Sequence, residues 1–255
     1  MSNCIPNPEV DGGDCSVSAR RTGDDLTQHE QDKAGVTAGS VAGEHIRGFA
    51  SGNVFVALVL AVWLTLIVIL GATRALVVAP GTPPYPIAIA VVAPLVVFLT
   101  AFWLSAAFRS FVSAVNLLLI TAVQGWRFAG LGFLALTAYA VLPGDFAWPA
   151  GLGDMAIGIT APWVALALLR RARFATSPLF VAWNLFGILD LVVAVSVAAI
   201  SQSLASGAPG EITVAPMALL PLVLIPAYLV PLFIMLHVVA LFRVRRLLAG
   251  LGTAA

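Results

Sequence analysis

Six long apolar stretches fill the chain from Val54 to Phe242, and its arginines collect in alternate gaps between them. A bilayer core of about 30 Å is crossed by a helix of about 20 apolar residues. The stretches run approximately 54–73, 86–108, 125–142, 153–169, 178–200 and 215–242. In lipid, every backbone polar group must be paired within the segment or against its neighbours, which leaves helices as the answer for spans of this length. The chain is therefore expected to be all-α: a six-helix transmembrane bundle over 49–246. A disordered amino-terminal tail over 1–48 precedes it and a short carboxyl tail over 247–255 follows.

The charge pattern predicts the orientation. The amino tail carries Arg20, Arg21, Lys33 and Arg47. Arg74 lies in the first turn between spans, and Arg109 and Arg127 lie between the second span and the early third. Arg170, Arg171 and Arg173 follow the fourth span, and Arg243, Arg245 and Arg246 follow the sixth, while the segments 143–152 and 201–214 have no Lys or Arg. Basic clusters stay in the cytoplasm, so both termini are expected there. An odd number of spans would break this alternation. Arg outnumbers Lys twelve to one, a bias expected of a GC-rich bacterial genome, which points to the inner membrane.

Composition then narrows the classes. Charged residues make up 10% of the chain against 60% hydrophobic, where a soluble domain carries about 25% charged. Residues 1–53 hold eight acids against four bases, and the remainder nine bases against four acids. A nearly neutral total argues against nucleic acid as a partner. The tail has no apolar run, cannot offset its ordering entropy by burial, and does not read as a cleaved signal; the first span is expected to act as the signal. Cys4 and Cys15 both lie in the tail and read as exposed cytosolic thiols. No cysteine remains in the spans for a disulfide framework or thiolate ligation. His237 is the one histidine of the membrane region, which argues against a bis-His haem or a His-rich zinc site, and no cofactor is expected.

The informative residues are the polar ones inside apolar spans. An ionised Asp at the bilayer centre costs roughly 2.5–3.5 kcal/mol on insertion scales. Asp190 lies twelve residues into the fifth span, preceded by Trp183, Asn184 and Gly187. Asp154 begins the fourth span at its outer end. Gln124 and Arg127, three apart on one face, lie near the inner end of the third, and His237 lies in the inner part of the sixth. Ordered by depth, these residues predict a ladder with Asp154 outside, Asp190 in the middle, and Asn184, Arg127, Gln124 and His237 inside. Such a ladder suits a proton- or ion-coupled carrier. It also suits a bundle that uses Asp190 paired with Arg127 or Asn184 to fix helix register.

Pro216, Pro221, Pro226 and Pro231 recur every fifth residue in the sixth span. Each interior proline removes a donor and displaces the carbonyl four residues before it. The carbonyls of Met217, Leu222 and Ala227 are thus candidates to line a path. The stretch from Pro143 to Gly151 reads as a short aromatic loop, dipping into the membrane or anchored at the interface by Phe146 and Trp148. Residues 110–123 are amphipathic and lie along the interface or extend the third span. Gly125, Ala129 and Gly132 form a small-residue stripe for close helix packing, within the bundle or in a homo-oligomer. Gly151-Leu152-Gly153-Asp154-Met155-Ala156 matches GxGxxA in letters alone, because no strand precedes it.

The stretch from Val123-Gln124-Gly125-Trp126-Arg127 through Pro143-Gly144-Asp145-Phe146-Ala147-Trp148-Pro149-Ala150-Gly151-Leu152-Gly153-Asp154, with Trp183-Asn184-Leu185-Phe186-Gly187-Ile188-Leu189-Asp190 and Pro226-Ala227-Tyr228-Leu229-Val230-Pro231-Leu232, resembles a group of bacterial multi-pass inner-membrane proteins. The likeness covers roughly 86–245 and implies a membrane location but no reaction. Three functions follow from the residues, in this order: a small-solute or ion carrier with Asp190 as coupling carboxylate; a scaffold or assembly subunit; and an intramembrane enzyme using Asp154, Asp190 and His237. A carrier calls for a wet cavity reaching Asp190. A scaffold calls for a sealed Asp190 and an exposed small-residue stripe. An enzyme calls for Asp154, Asp190 and His237 to converge within ligand distance of a shared metal, about 2.0–2.2 Å.

Overall fold

Alternating apolar faces and a few capping side chains set the helix ends. The computed structural model describes residues 54–252, and no strand occurs among them. The tail expected to be disordered, with Cys4 and Cys15, lies outside the described residues, as do residues 253–255. Helix α1 covers Val54–Ala72. Then come α2 (Tyr85–Leu104), α3 (Ala106–Ala114), α4 (Leu117–Val123), a tighter 3-10 segment (Gln124–Gly130) and α5 (Leu131–Ala138). Helices α6 (Gly144–Arg170), α7 (Pro178–Leu204) and α8 (Val230–Gly252) complete the described chain. Taken with its continuations, each of six helical runs is long and apolar enough to cross a membrane: α1, α2, Leu117–Ala138, α6, α7 and Ile225–Ala249. Their outward faces carry Val62, Val97, Trp163 and Leu189 exposed.

Four boundaries differ from the sequence reading. The second helix stops at Leu104, because Ser105 turns extended and its hydroxyl caps α3 by accepting from Phe108 N at 3.1 Å. Arg109 closes the end of α2 by donating to the carbonyls of Phe102 and Trp103. Residues 110–123 divide rather than act as one piece: α3 ends at Ala114, and the Asn116 side chain accepts from Leu118 N at 2.8 Å to start the third crossing run. Side-chain capping of orphan N–H groups is the local signal in both places.

The stretch expected to be a loop from Pro143 to Gly151 is helical. Pro143 stands extended before the first turn, and Asp145 in that turn complements the positive helix end. Pro149 sits inside α6, where it removes one backbone donor and the helix continues. The sixth stretch, by contrast, unwinds. Ala215–Ala218 is a 3-10 turn, Ile225–Leu229 is a π-type turn, and regular helix resumes at Val230 and continues to Gly252, past the tail boundary expected at 247.

Four clusters of buried side chains hold the bundle. Phe102, Val112, Ile120, Phe180 and Val239 fill the end where α2, α6 and α8 finish. Val91, Leu191, Val230 and Phe233 fill the middle. Phe133, Leu142, Phe146 and Met217 fill the opposite end, and Ile67 packs with Val223 and Ala227 beside α1.

Candidate functional site

The 3-10 segment has three residues per turn, so Gln124, Arg127 and Gly130 fall on one face, and all three are buried. This face lies against α6. A Cβ on Gly158 would meet the backbone of Arg127 and Phe128, and a Cβ on Gly151 would stand 2.9 Å from the Gly130 carbonyl oxygen. Only hydrogen at these positions lets the two backbones approach so closely. The glycines that close the bundle are therefore Gly130, Gly151, Gly153, Gly158 and Gly187. Gly125 and Gly132 have nothing within 4 Å of where a Cβ would stand, and Ala129 is exposed. These small residues do not pack within the bundle, because at three residues per turn it is Gln124, Arg127 and Gly130 that face α6.

Arg127 is the hub, its side chain fully buried. Its Nε donates to Asp154 Oδ1 at 2.7 Å, and its Nη2 pairs with Asp190 Oδ2. Its Nη1 donates to the Gly187 carbonyl at 3.2 Å and to His237 Nε2 at 3.2 Å. Arginine can only donate, so His237 Nε2 is the acceptor and its proton sits on Nδ1. That proton goes to Asn184 Oδ1 at 3.0 Å, and Asn184 Nδ2 donates on to the Phe180 carbonyl at 2.8 Å. The chain of donors leaves one assignment for each group: His237 is neutral, with hydrogen on Nδ1. Trp183 meets the imidazole edge-on at 5.5 Å between ring centres and donates from Nε1 to Thr160. Gln124 donates to the Phe233 carbonyl at 3.5 Å, while its Oε1 and the Thr121 hydroxyl are buried without a partner among the described residues.

The depth ladder is corrected. Arg127 lies ten residues after Leu117 and Asp154 ten after Gly144, while Asp190 lies twelve after Pro178 and His237 twelve after Ile225. All four stand near the middle of their helices and meet in one cluster. Asp154 moved because α6 begins nine residues earlier than read. Glycine clearance fixes the cluster: a Cβ on Gly153 would overlap the Asp190 carboxylate, and one on Gly187 would strike the His237 ring. Asp154, Asp190 and His237 do converge, and what they share is the Arg127 guanidinium. Among the described residues, no group of three or more His, Cys, Asp and Glu side chains is placed to hold a metal ion.

The carbonyl candidates stand apart from this cluster. The Leu222 carbonyl accepts from Ile225 N at 3.0 Å, and Val230 N reaches back five residues to Ile225 O. Met217 lines a cavity of about 80 Å³ that lies between α2, α7 and the proline-rich segment. Pro84, Ile87 and Ala88 wall one side and Leu191, Ala194, Ala198 and Gln202 the other; Asp154 closes the inner end. Asp190 is 8% exposed and lines no part of it, whereas the Asp154 side chain is 16% exposed. Sequence reasoning missed Gly153, Gly158 and Gln202. The first lay in the rejected GxGxxA stretch, and small residues at three- and four-residue spacing were the signal available.

A family model described as a domain of unknown function (DUF8737) matches residues 84–245. No curated protein and no solved structure matches the chain.

Proposed function

The chain belongs to that family, whose description assigns no activity, and from the site itself we propose that it is an ion- or proton-coupled carrier of small solutes. In this reading it lies in a bacterial cytoplasmic membrane, crosses it six times, and keeps both termini in the cytoplasm. The outward apolar faces support insertion, since a water-facing surface of that kind would aggregate. Arg109, Arg170, Arg171, Arg173, Arg243, Arg245 and Arg246 collect at one end of the helices. Arg74 stands with Asp145 and Glu211 at the other, and the positive end is the cytoplasmic one.

One observation carries the coupling role: a single buried guanidinium is shared by two carboxylates, and one of them borders a cavity. Arg127 contributes one positive charge and the ionised aspartates two negative ones, with His237 neutral. The cluster then holds one uncompensated negative charge in a low-dielectric interior, which is costly. A proton or a solute cation at Asp154 neutralises it. Asp154 is therefore the coupling carboxylate, and Asp190 anchors the arginine. Gln124 Oε1 and Thr121 Oγ1, on the Arg127 face toward the cytoplasmic end, continue the polar line on the other side.

The test uses the full chain in liposomes carrying an internal pH dye, driven by a membrane potential or by gradients of Na+ or K+. Ion or proton flux is expected in wild type and lost in Asp154→Asn. Equal flux in the two, or none in either, overturns the reading. A second reading, an assembly subunit, has both features expected of it, an Asp190 sealed against Arg127 and small residues Gly125, Ala129 and Gly132 facing outward; the carrier reading stands on Asp154, which the cavity reaches in place of Asp190. Flux surviving Asp154→Asn together with an oligomer lost on Gly132→Leu would favour the assembly subunit.

A further inference from the structure

We propose that the cavity between α2 and α7 binds a tertiary alkylammonium ion, an apolar chain ending in one N–H⁺, that enters sideways from the lipid. The inference deepens the carrier reading and rests on the same carboxylate. Of the residues lining the cavity, only Asp154 and Gln202 carry polar side chains, and they stand at opposite ends. Phe146, Ala150 and Asp154 follow at four-residue spacing on one face of α6, so the carboxylate lies about 12 Å along the axis from the first. An apolar chain of a few carbons fits along this wall with its charged end at Asp154.

The head group follows from the hydrogen-bond count. Asp154 gives Oδ1 to Arg127, and its other oxygen has no partner among the described residues. That oxygen can accept one or two N–H donors, so a head group with a single N–H is fully satisfied there without help from the apolar walls. A bare metal cation requires several oxygen ligands, and a primary ammonium has three donors to satisfy, whereas the remaining walls near Asp154 are Leu191, Ala194 and Val230. An anion meets the excess negative charge, because four of the five guanidinium donors are already engaged by protein groups.

The route follows from packing. Gly81 N donates to the Gln202 carbonyl, and Gln202 Nε2 donates to the Ala79 carbonyl, both at 3.2 Å, so the segment after α1 is clasped over the end of α7. Below that clasp, α2 packs on α8 and on Ile225–Leu229, with no comparable packing on α7. Pro84, Ala88 and Ala199 line both the cavity and a groove on the outer surface between the same two helices. The cavity therefore opens sideways, where lipid would lie, rather than through the clasped end. An amphiphile partitioned into the bilayer already sits at that opening.

The experiment is binding of N,N-dimethylhexylammonium to the full chain in lipid nanodiscs, with hexanol and hexanoate as uncharged and anionic controls. The ammonium is expected to bind, and about tenfold or more weaker in Asp154→Asn, while hexanol binds both proteins alike. Ala199→Phe, which narrows the opening without touching the polar cluster, is expected to slow association at least about tenfold. It keeps the proposal testable if Asp154→Asn fails to fold. Hexanol binding as tightly as the ammonium, an unchanged affinity in Asp154→Asn, or unchanged association in Ala199→Phe overturns the proposal. Liposome flux is measured in parallel. Asp154-dependent flux without ammonium binding removes this proposal and spares the carrier reading; ammonium binding without any flux does the reverse.

Discussion

The chain leaves regular α-helix in two places, within the apolar run Leu117–Ala138 and in the approach to and start of the run Ile225–Ala249, and they are built in opposite ways. At Gln124–Gly130 the backbone tightens, its buried face meets α6 through glycines, and four of the five Arg127 donors are engaged. At Ala215–Leu229 the prolines loosen it, the turns change type within a few residues, and a cavity lies alongside. The tight departure positions charge and the loose one leaves room. Asp154 belongs to both, bonded to the hub on one side and facing the cavity on the other.

The strongest challenge to this contrast removes the hub. Arg127→Met leaves the buried Asp190 and the partly buried Asp154 without their cation, and breaking a buried pair in this way costs about 3–5 kcal/mol. Thermal unfolding in nanodiscs should shift down accordingly. Adding Asp154→Leu and Asp190→Leu should recover most of the loss, since the penalty comes from stranded charge rather than lost volume. A single variant as stable as wild type would mean that the cluster does not organise the bundle.

A smaller effect sharpens the distinction between glycines that touch and glycines that do not. In Gly187→Ala the added methyl strikes the His237 ring, and overpacking of this kind costs about 1–3 kcal/mol. It should also disturb the Nδ1-protonated form of His237, which nitrogen NMR on labelled protein reads directly. Gly132→Ala, which meets nothing within 4 Å, should leave both stability and that spectrum unchanged. Equal effects from the two would erase the inner-face assignment.

These contrasts also show why some features were legible in sequence and others were not. Six helical runs long and apolar enough to cross a membrane follow from hydropathy and length, which survive boundary errors of several residues. The Gln124–Arg127 face and the Asn184, Gly187 and Asp190 face were readable because residues three apart stay on one side in both 3-10 and α winding. Of the two uses expected for Gly125, Ala129 and Gly132, packing within the bundle fails, because Gln124–Gly130 winds at 3.0 residues per turn and turns the Gln124, Arg127 and Gly130 face to α6. Reading Pro143–Gly151 as a loop displaced Asp154 to an outer end and hid its meeting with Arg127. The prolines at both ends of that stretch do not break it: Pro143 precedes the first turn and Pro149 sits inside α6. Contacts such as Arg127 with Asp154 and His237 join residues 27 and 110 positions apart, and periodicity within one helix carries no information about them.

The gentlest probe addresses the cavity end from the loop above it. The Glu211 carboxylate accepts from the amides of Ser206, Gly207 and Ala208 at 3.0, 2.7 and 3.3 Å, and from the Ser206 hydroxyl at 2.9 Å. These bonds, the Ser206 amide first, hold its pKa below the ordinary value of 4.5. A carboxylate shifted downward on folding contributes stability that is fully present above its ordinary value and is lost as pH falls through the folded one. Hydrogen-exchange protection of the three amides should therefore be steady at neutral pH and fall only below about 4.5. Glu211→Gln should lower it at neutral pH and remove the pH dependence, with no change at the Gly187 amide in the polar cluster. Full protection of the three amides in Glu211→Gln would assign the loop's order to its own turn, where Glu211 N donates to the Ala208 carbonyl at 3.1 Å.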